Sequence, residues 1–289
     1  MRQIATPPSA RALPGDAPPS GFQIAGNAAE RYEQAVARFM LGWSEDLVAS
    51  AGLRRGERVV DVACGTGFVT RIAATQVGDS GHVIGVDINA HIVAEAKRVT
   101  GLEIIEASAE STGLTNDGVD VVLCQQGIQY VPDPDAVLRE AHRLLRPGGR
   151  IALSVWSELD RNPFRVGQLA AMRPHLTDAV ADAYRRTSIA SLGGLDGMVT
   201  RLHRAAFVDI TVEEREREVW LPPMRTYFPE LVAATPWKDT FDRLTIAERE
   251  AVLDRLDTYV DDTHDEDGCT VRMTVVVATG QKSRATFAP

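Results

Sequence analysis

The sequence predicts an α/β domain with a doubly wound, mostly parallel sheet, and three observations carry that expectation. Short, nearly continuous apolar runs alternate with helical segments from residue 57 to residue 156. Runs of that kind suit parallel strands, which are covered on both faces. The first run meets a Gly-Thr-Gly turn in "VVDVACGTGFVT" (59–70), where such folds place ligands, outside the carboxyl end of a strand. After Trp156 the alternation stops, and two late strand-like stretches are separated by helical sequence.

Taken in order, residues 1–20 are rich in Pro, Ala and Ser and predict a flexible tail. Residues 21–56 are expected to form N-terminal helices covering the site. Apolar residues at 32, 36, 39, 40, 43, 47 and 48 keep helical spacing, and Gly42 predicts a break into two short helices. The core spans 57–156. Strands are expected at 57–63, 82–88, 102–107, 119–125 and 150–156, and helices at 67–77, 89–100 and 133–145, with "RPGG" (146–149) a turn. The remainder, 157–289, is expected to finish the sheet and to carry helical lid insertions at about 157–192 and 222–262. Between them lie a helix at 195–207 and a strand at 208–218, and a last strand follows at 270–281. The two late strands are expected to pair antiparallel at one sheet edge.

Bulk chemistry narrows the class. The chain of 289 residues is 44 % hydrophobic and 25 % charged, with net charge -9, and its pI is about 5.2. That balance speaks against a broad nucleic-acid footprint, which needs a basic face. No run approaches the roughly 18 apolar residues of a membrane span. The first residues show no apolar stretch of signal-peptide type, so no signal peptide is expected. Cys64, Cys124 and Cys269 form no C-x-x-C pair, so neither a metal site nor a disulfide framework is expected. Cys64 and Cys124 fall in apolar runs and read as buried free thiols, in keeping with a reducing cytoplasm.

The turn narrows the ligand. A triphosphate loop needs a Lys after its last glycine, and none stands near Gly67. The dinucleotide fingerprint needs a third glycine where Thr70 stands. Asp61 precedes the loop, and at about 4 Å a carboxylate would repel each pyrophosphate charge by roughly 4 kcal/mol. A cationic ligand would be attracted instead. Asp87 ends the second strand twenty residues after Gly67, and an acid there suits a ribose or caps the next helix.

Four blocks together resemble the class I S-adenosylmethionine (SAM)-dependent methyltransferases of the ubiquinone/menaquinone-biosynthesis-like (methyltransferase domain 11 type) group. They are "VVDVACGTG" (59–67), "GVDIN" (85–89), "ASAESTGL…DGVDVVLCQQGIQYVPD" (107–133) and "LREAHRLLRPGGRIALSVW" (138–156). The resemblance implies a seven-stranded Rossmann-like methyltransferase fold whose last strand is antiparallel. It implies SAM as the cofactor, with Gly65 and Gly67 near its methionine part and Asp61 at its amino group. Asp87 would take the ribose and Ile88 would lie against adenine. Ser108 and Ala109 stand where the family has Asp or Asn and a small residue, near the adenine amine. The Gln125 carbonyl would take the ammonium, and Tyr32 would close over the methionine end.

The expected activity is methyl transfer to O, C or N of a small, apolar or aromatic acceptor, natural-product or quinone-like. An RNA or protein methyltransferase, or a catalytically inactive SAM-fold binding protein, are the alternatives. The acceptor pocket is expected from the segments outside the core, which contain Trp43, Phe164, Met172, Tyr184, Met224, Tyr227, Phe228 and Trp237, with Gln126 and Gln129 at its mouth. No residue identifies itself as a catalytic base: His91, His142, His175 and His203 all read as lying away from the chemistry. The expected partner is the small-molecule acceptor, with a second copy of the chain left open.

Overall fold

A computed structural model describes residues 28–259 and 268–284. The expected tail at 1–20 and the end of the second lid segment lie outside the described residues.

Seven strands form one sheet in the order β3-β2-β1-β4-β5-β7-β6. They are β1 (Arg58–Val62), β2 (His82–Asp87), β3 (Glu103–Glu106), β4 (Val119–Gln125), β5 (Leu145–Trp156), β6 (Phe207–Leu221) and β7 (Cys269–Lys282). The first five run parallel. Strand β7 is antiparallel to both β5 and β6, so the two late strands close the far edge together. The helices are α1 (Ala28–Ala51), α2 (Phe68–Val77), α3 (Ala90–Thr100), α4 (Pro134–Leu144), α5 (Pro163–Met172), α6 (Asp178–Arg185), α7 (Gly194–Arg204), α8 (Met224–Ala233), α9 (Lys238–Asp242) and α10 (Ile246–Asp257).

The continuous apolar runs are explained by burial on two sides. Val59, Val121 and Leu123 join one core with α1, α2, α5, α8 and α10. Val60, Val62 and Val122 join a second core with α4 and α7 on the opposite face. Because β1 is flanked by β2 on one side and β4 on the other, the strand order reverses there. The carboxyl ends of β1 and β4 therefore open a crevice, the topological switch point of such sheets.

Two expectations are corrected. The N-terminal region is a single helix of 24 residues, not two short ones. Gly42 does not break it, because its bare Cα admits the Arg217 guanidinium, which a side chain there would strike. Arg217 is held in turn by Asp46 at 2.7 Å, one turn further along the same helix. The helix-breaking tendency of glycine, about 1 kcal/mol, is outweighed by this packing. Likewise "RPGG" is not a turn ahead of β5 but an irregular stretch within it. The pairing passes from Val119↔Leu145 to Val121↔Arg150, and Gly148 takes φ +80° to absorb the extra residues.

Arg150 also fixes how α1 meets the sheet. It donates to both carboxylate oxygens of Glu57 at 2.8 Å and to the carbonyls of Ala51 and Gly52 at the end of α1. Tyr227 of α8 donates to the Ala35 carbonyl at 2.8 Å. The helix bearing Tyr32 is thereby tied to the core at its end and to the lid near its start. No helix among the described residues is long and apolar enough to cross a membrane.

Candidate functional site

The crevice holds a cavity of about 880 Å³. It is lined by the β1–α2 loop, the ends of β2 and β4, residues 108–110 and 125–132, and helices α1, α5, α6 and α8. Eight of the nine sequence-predicted cofactor residues, Tyr32, Asp61, Gly65, Asp87, Ile88, Ser108, Ala109 and Gln125, line it; Gly67 does not, though its chain neighbours Thr66 and Phe68 do.

The glycine turn is built by backbone angles that side chains resist. Gly65 has φ +56° and Gly67 φ +88°, and Gly67 caps the start of α2. A Cβ on Gly67 would lie 2.6 Å from Thr100 Cγ2, while one on Gly65 would just meet the Tyr32 ring at 4.0 Å. The loop thus offers bare backbone to the cavity, with the Tyr32 ring above it.

Asp87 anchors that loop. Its Oδ2 accepts from the Gly65 N–H and its Oδ1 from the Asn89 N–H, both at 3.0 Å. Asn89, not Asp87, caps α3, accepting from the N–H groups of His91 and Ile92. Burial raises the Asp87 carboxyl, against the backbone hydrogen bonds that lower it. Each oxygen keeps a lone pair for a ligand hydroxyl. Beside it Ile88 is 54 % exposed, an apolar surface at the cavity's rim.

Asp61 is 1 % exposed. Its Oδ2 accepts from Thr70 Oγ1 at 2.6 Å, and its Oδ1 has no partner. Burial pushes its pKa up to about 7, although the Thr70 hydrogen bond lowers it. Gln125 at the end of β4 accepts from Ser44 Oγ at 2.7 Å and leaves its buried Nε2 unpartnered.

Ser108 lines the cavity and is hydrogen-bonded to its neighbour Glu110. Its hydroxyl accepts from the Glu110 N–H at 3.1 Å and donates to Glu110 Oε2 at 3.2 Å. The carboxylate on this wall is Glu110, whose other oxygen accepts from the Asp133 N–H at 2.8 Å. The sequence signal was the acid two residues beyond Ser108.

The second half of the cavity is aromatic. Trp156, Phe164, Tyr184, Phe228 and Trp237 line it, whereas Trp43, Met172, Met224 and Tyr227 are buried in the core behind. Gln126 and Gln129 line it, Gln129 being buried rather than at an open mouth: Gln129 Nε2 donates to Gln126 Oε1 at 2.9 Å, leaving Gln126 Nε2 and Gln129 Oε1 unpartnered. Gln126 takes φ +51°, which turns it inward after β4. Tyr130, Arg165, Gln168 and Thr187 also line this half; the sequence points to their segments, 125–130 and 157–192, without singling these residues out. For Arg165 the available signal was a cation on an otherwise apolar helix face in "NPFRVGQLAAM".

His91, His142, His175 and His203 stay outside the wall; His142 packs edge-on against Phe207 at 5.3 Å. The lining phenols are no substitute as bases. Burial raises Tyr130 and Tyr184, although Arg165 lowers both, and burial raises Tyr32 above the usual phenol range. Cys64, Cys124 and Cys269 are buried free thiols, each raised by burial. No group of His, Cys, Asp and Glu among the described residues is placed to hold a metal ion.

Comparison with known proteins places this geometry. A family model described as a methyltransferase domain matches residues 53–191. This region is a class I SAM-dependent methyltransferase domain. The methyltransferase region is 33 % identical over 119 residues to demethylmenaquinone methyltransferase of Lactobacillus johnsonii, covering 39 % of this chain and 49 % of that protein. It is 32 % identical over 130 residues to the ubiquinone/menaquinone biosynthesis C-methyltransferase UbiE of Xanthomonas campestris, covering 43 % and 51 %. The chain thus spans about half the length of the curated relatives it matches. In fold, the chain is similar to a putative methyltransferase of Bacillus halodurans, with TM-score 0.53 and 18 % identity over 83 % of this chain and 98 % of that one. It is also similar to phosphoethanolamine N-methyltransferase 2 of Haemonchus contortus, with TM-score 0.56 and 16 % identity over 88 % and 57 %.

The residues fit SAM. The open Oδ1 of buried Asp61 and the unpartnered Gln125 Nε2 complement an ammonium and a carboxylate, and the bare Gly65–Gly67 backbone admits them closely. Asp87 offers its remaining lone pairs, and Ile88 an exposed apolar face, at the same end of the cavity.

Proposed function

We propose that the protein transfers a methyl group from SAM to O, C or N of a small, apolar or aromatic acceptor, of quinone-like or natural-product type. The observation that carries this reading is the continuity of one cavity. It runs from the polar end at Gly65, Asp87 and Glu110, past Tyr130, to the aromatic wall of Trp156, Phe164, Tyr184, Phe228 and Trp237. A cofactor at the first end would point toward an acceptor at the second.

Bound there, SAM would supply an electrophilic methyl group for in-line displacement, with S-adenosylhomocysteine as the leaving group. The protein's contribution is position and dryness. Asp61 would hold the amino group, Asp87 the ribose, Ile88 and Ala109 the adenine, and Glu110 the adenine amine in place of Ser108. Tyr32 would cover the methionine end, and the Gln125 carbonyl would take part in holding the ammonium. Gln126 and Gln129 would orient a polar acceptor group. With no histidine among the described residues of the wall, the acceptor would need to be nucleophilic as it arrives.

An RNA or protein acceptor is less well supported, since α5, α6 and α8 line the acceptor end and the net charge is -9. Three buried free thiols agree with a reducing cytoplasm as the compartment.

Titration calorimetry with S-adenosylhomocysteine tests the cofactor, and transfer from methyl-labelled SAM over a panel of phenols, quinones and amines tests the acceptor. Micromolar binding and label in an aromatic product are expected. Binding of NADH in place of S-adenosylhomocysteine would overturn the reading.

A further inference from the structure

Arg165 lines the aromatic half of the cavity yet is 5 % exposed. No carboxylate among the described residues forms an ion pair with it. Its Nη2 donates to Thr187 Oγ1 at 2.6 Å, and Thr187 Oγ1 donates on to the Tyr184 carbonyl at 2.7 Å. Its Nη1 is buried with no hydrogen-bond partner. The guanidinium carbon lies 5.0 Å from the Tyr184 ring centre and 5.3 Å from that of Trp156, so two aromatic faces hold it in place. Tyr184 is itself fixed by donating to Gln168 Oε1 at 2.7 Å and by the Trp237 ring at 4.6 Å.

A buried cation without a counter-ion is strongly unfavourable. Aromatic faces offset part of that, but a Met or Leu would fill the same gap without any desolvation. The remaining positive charge and the open N–H are complementary to an ionised oxygen. Their place beyond β5, among the acceptor-side residues, sets them apart from the Gly65–Asp87 end.

Resting on the methyltransferase reading, we propose that the acceptor is an aromatic anion, whose ionised oxygen, a carboxylate or phenolate, is received by Arg165. Its ring lies against the aromatic wall. For a phenolate this also answers the lack of a histidine base among the described lining residues: an acceptor that enters with its reacting group ionised needs no proton removed, and Arg165 favours the ionised form inside the cavity.

Calorimetry on the full chain, with and without S-adenosylhomocysteine, decides the matter with two matched pairs of probes. One pair is 1-naphthoate and the neutral 1-naphthamide; the other, at pH 8, is 4-nitrophenolate and 4-nitroanisole. At least one anion should bind tenfold or more tightly than its neutral partner, the responsive pair distinguishing carboxylate from phenolate. Arg165→Met should erase the preference, Arg165→Lys should keep part of it, and both should bind S-adenosylhomocysteine within threefold of wild type. Equal affinity within both pairs, or a preference that survives Arg165→Met, overturns the proposal. So does a tenfold loss of S-adenosylhomocysteine affinity in Arg165→Met, which would assign Arg165 to the cofactor. Should that variant lack a native circular dichroism spectrum, the wild-type pairs and Arg165→Lys decide. A wild type that binds anions selectively but not S-adenosylhomocysteine would retire the methyltransferase reading and leave the anion site standing.

Discussion

Thr70 Oγ1 donates to Asp61 Oδ2 at 2.6 Å, joining two buried side chains across the β1–α2 turn. The bond holds one carboxylate oxygen and leaves Oδ1 open. It gives a reason for threonine where a dinucleotide-binding loop carries its third glycine: glycine would leave the buried acid without its hydroxyl donor.

Asp61→Asn should trade binding for stability. Burial raises the folded-state pKa from 3.8 to about 7. An acid with a raised pKa binds more protons folded than unfolded, so the ligand-free protein loses stability as pH rises from about 4 to about 7. Three units correspond to about 4 kcal/mol as an upper limit. The Asn variant escapes this loss, so its advantage in melting temperature should widen from pH 4 to pH 8. Its S-adenosylhomocysteine affinity should fall about tenfold or more. A melting difference independent of pH would refute the role of ionisation.

Thr70→Val removes the hydroxyl with little change in volume. The Asp61 pKa should rise further, by about one unit for a charged hydrogen bond of roughly 1.5 kcal/mol. Affinity for cationic SAM should climb with pH in both proteins, with the variant's curve displaced to higher pH. Superimposable curves, measured by calorimetry between pH 6 and pH 9, would contradict it.

Asp87→Ala should weaken S-adenosylhomocysteine binding by roughly 1 to 3 kcal/mol, the scale of a lost charge-assisted hydrogen bond. The upper end is expected, because the same carboxylate positions the Gly65 N–H. Unchanged affinity would remove Asp87 from the ribose role.

Gly67→Ala should destabilise the fold by about 1 to 3 kcal/mol. It forces a side chain into φ +88° and within 2.6 Å of Thr100 Cγ2. Chemical denaturation measures the loss. Gly67→Ala combined with Thr100→Ser should recover the steric part alone, and no recovery would mean that backbone strain dominates.

The parallel core was legible because its signal is local. Burial on both faces forces apolar runs, as at Val59–Val62 and Val121–Cys124, and helices between them keep their own period. Gly42 misled for the opposite reason: its neighbour Arg217 lies far along the chain, and no local rule foresees that contact. Ser108 and Glu110 show the same limit at a smaller scale, since both stand in the sequence while their mutual hydrogen bonds follow from the fold of the turn.

By itself the sequence determined the doubly wound sheet, the glycine turn at its switch point and the acids at 61 and 87, because spacing along one chain dictates them. Tertiary structure alone decided which aromatic residues face the cavity and which pack behind it. It also decided that Arg165 stands between Trp156 and Tyr184 without a counter-ion among the described residues. Burial and pairing are relations between distant segments, and only folding brings α5, α6 and the end of β5 around one guanidinium.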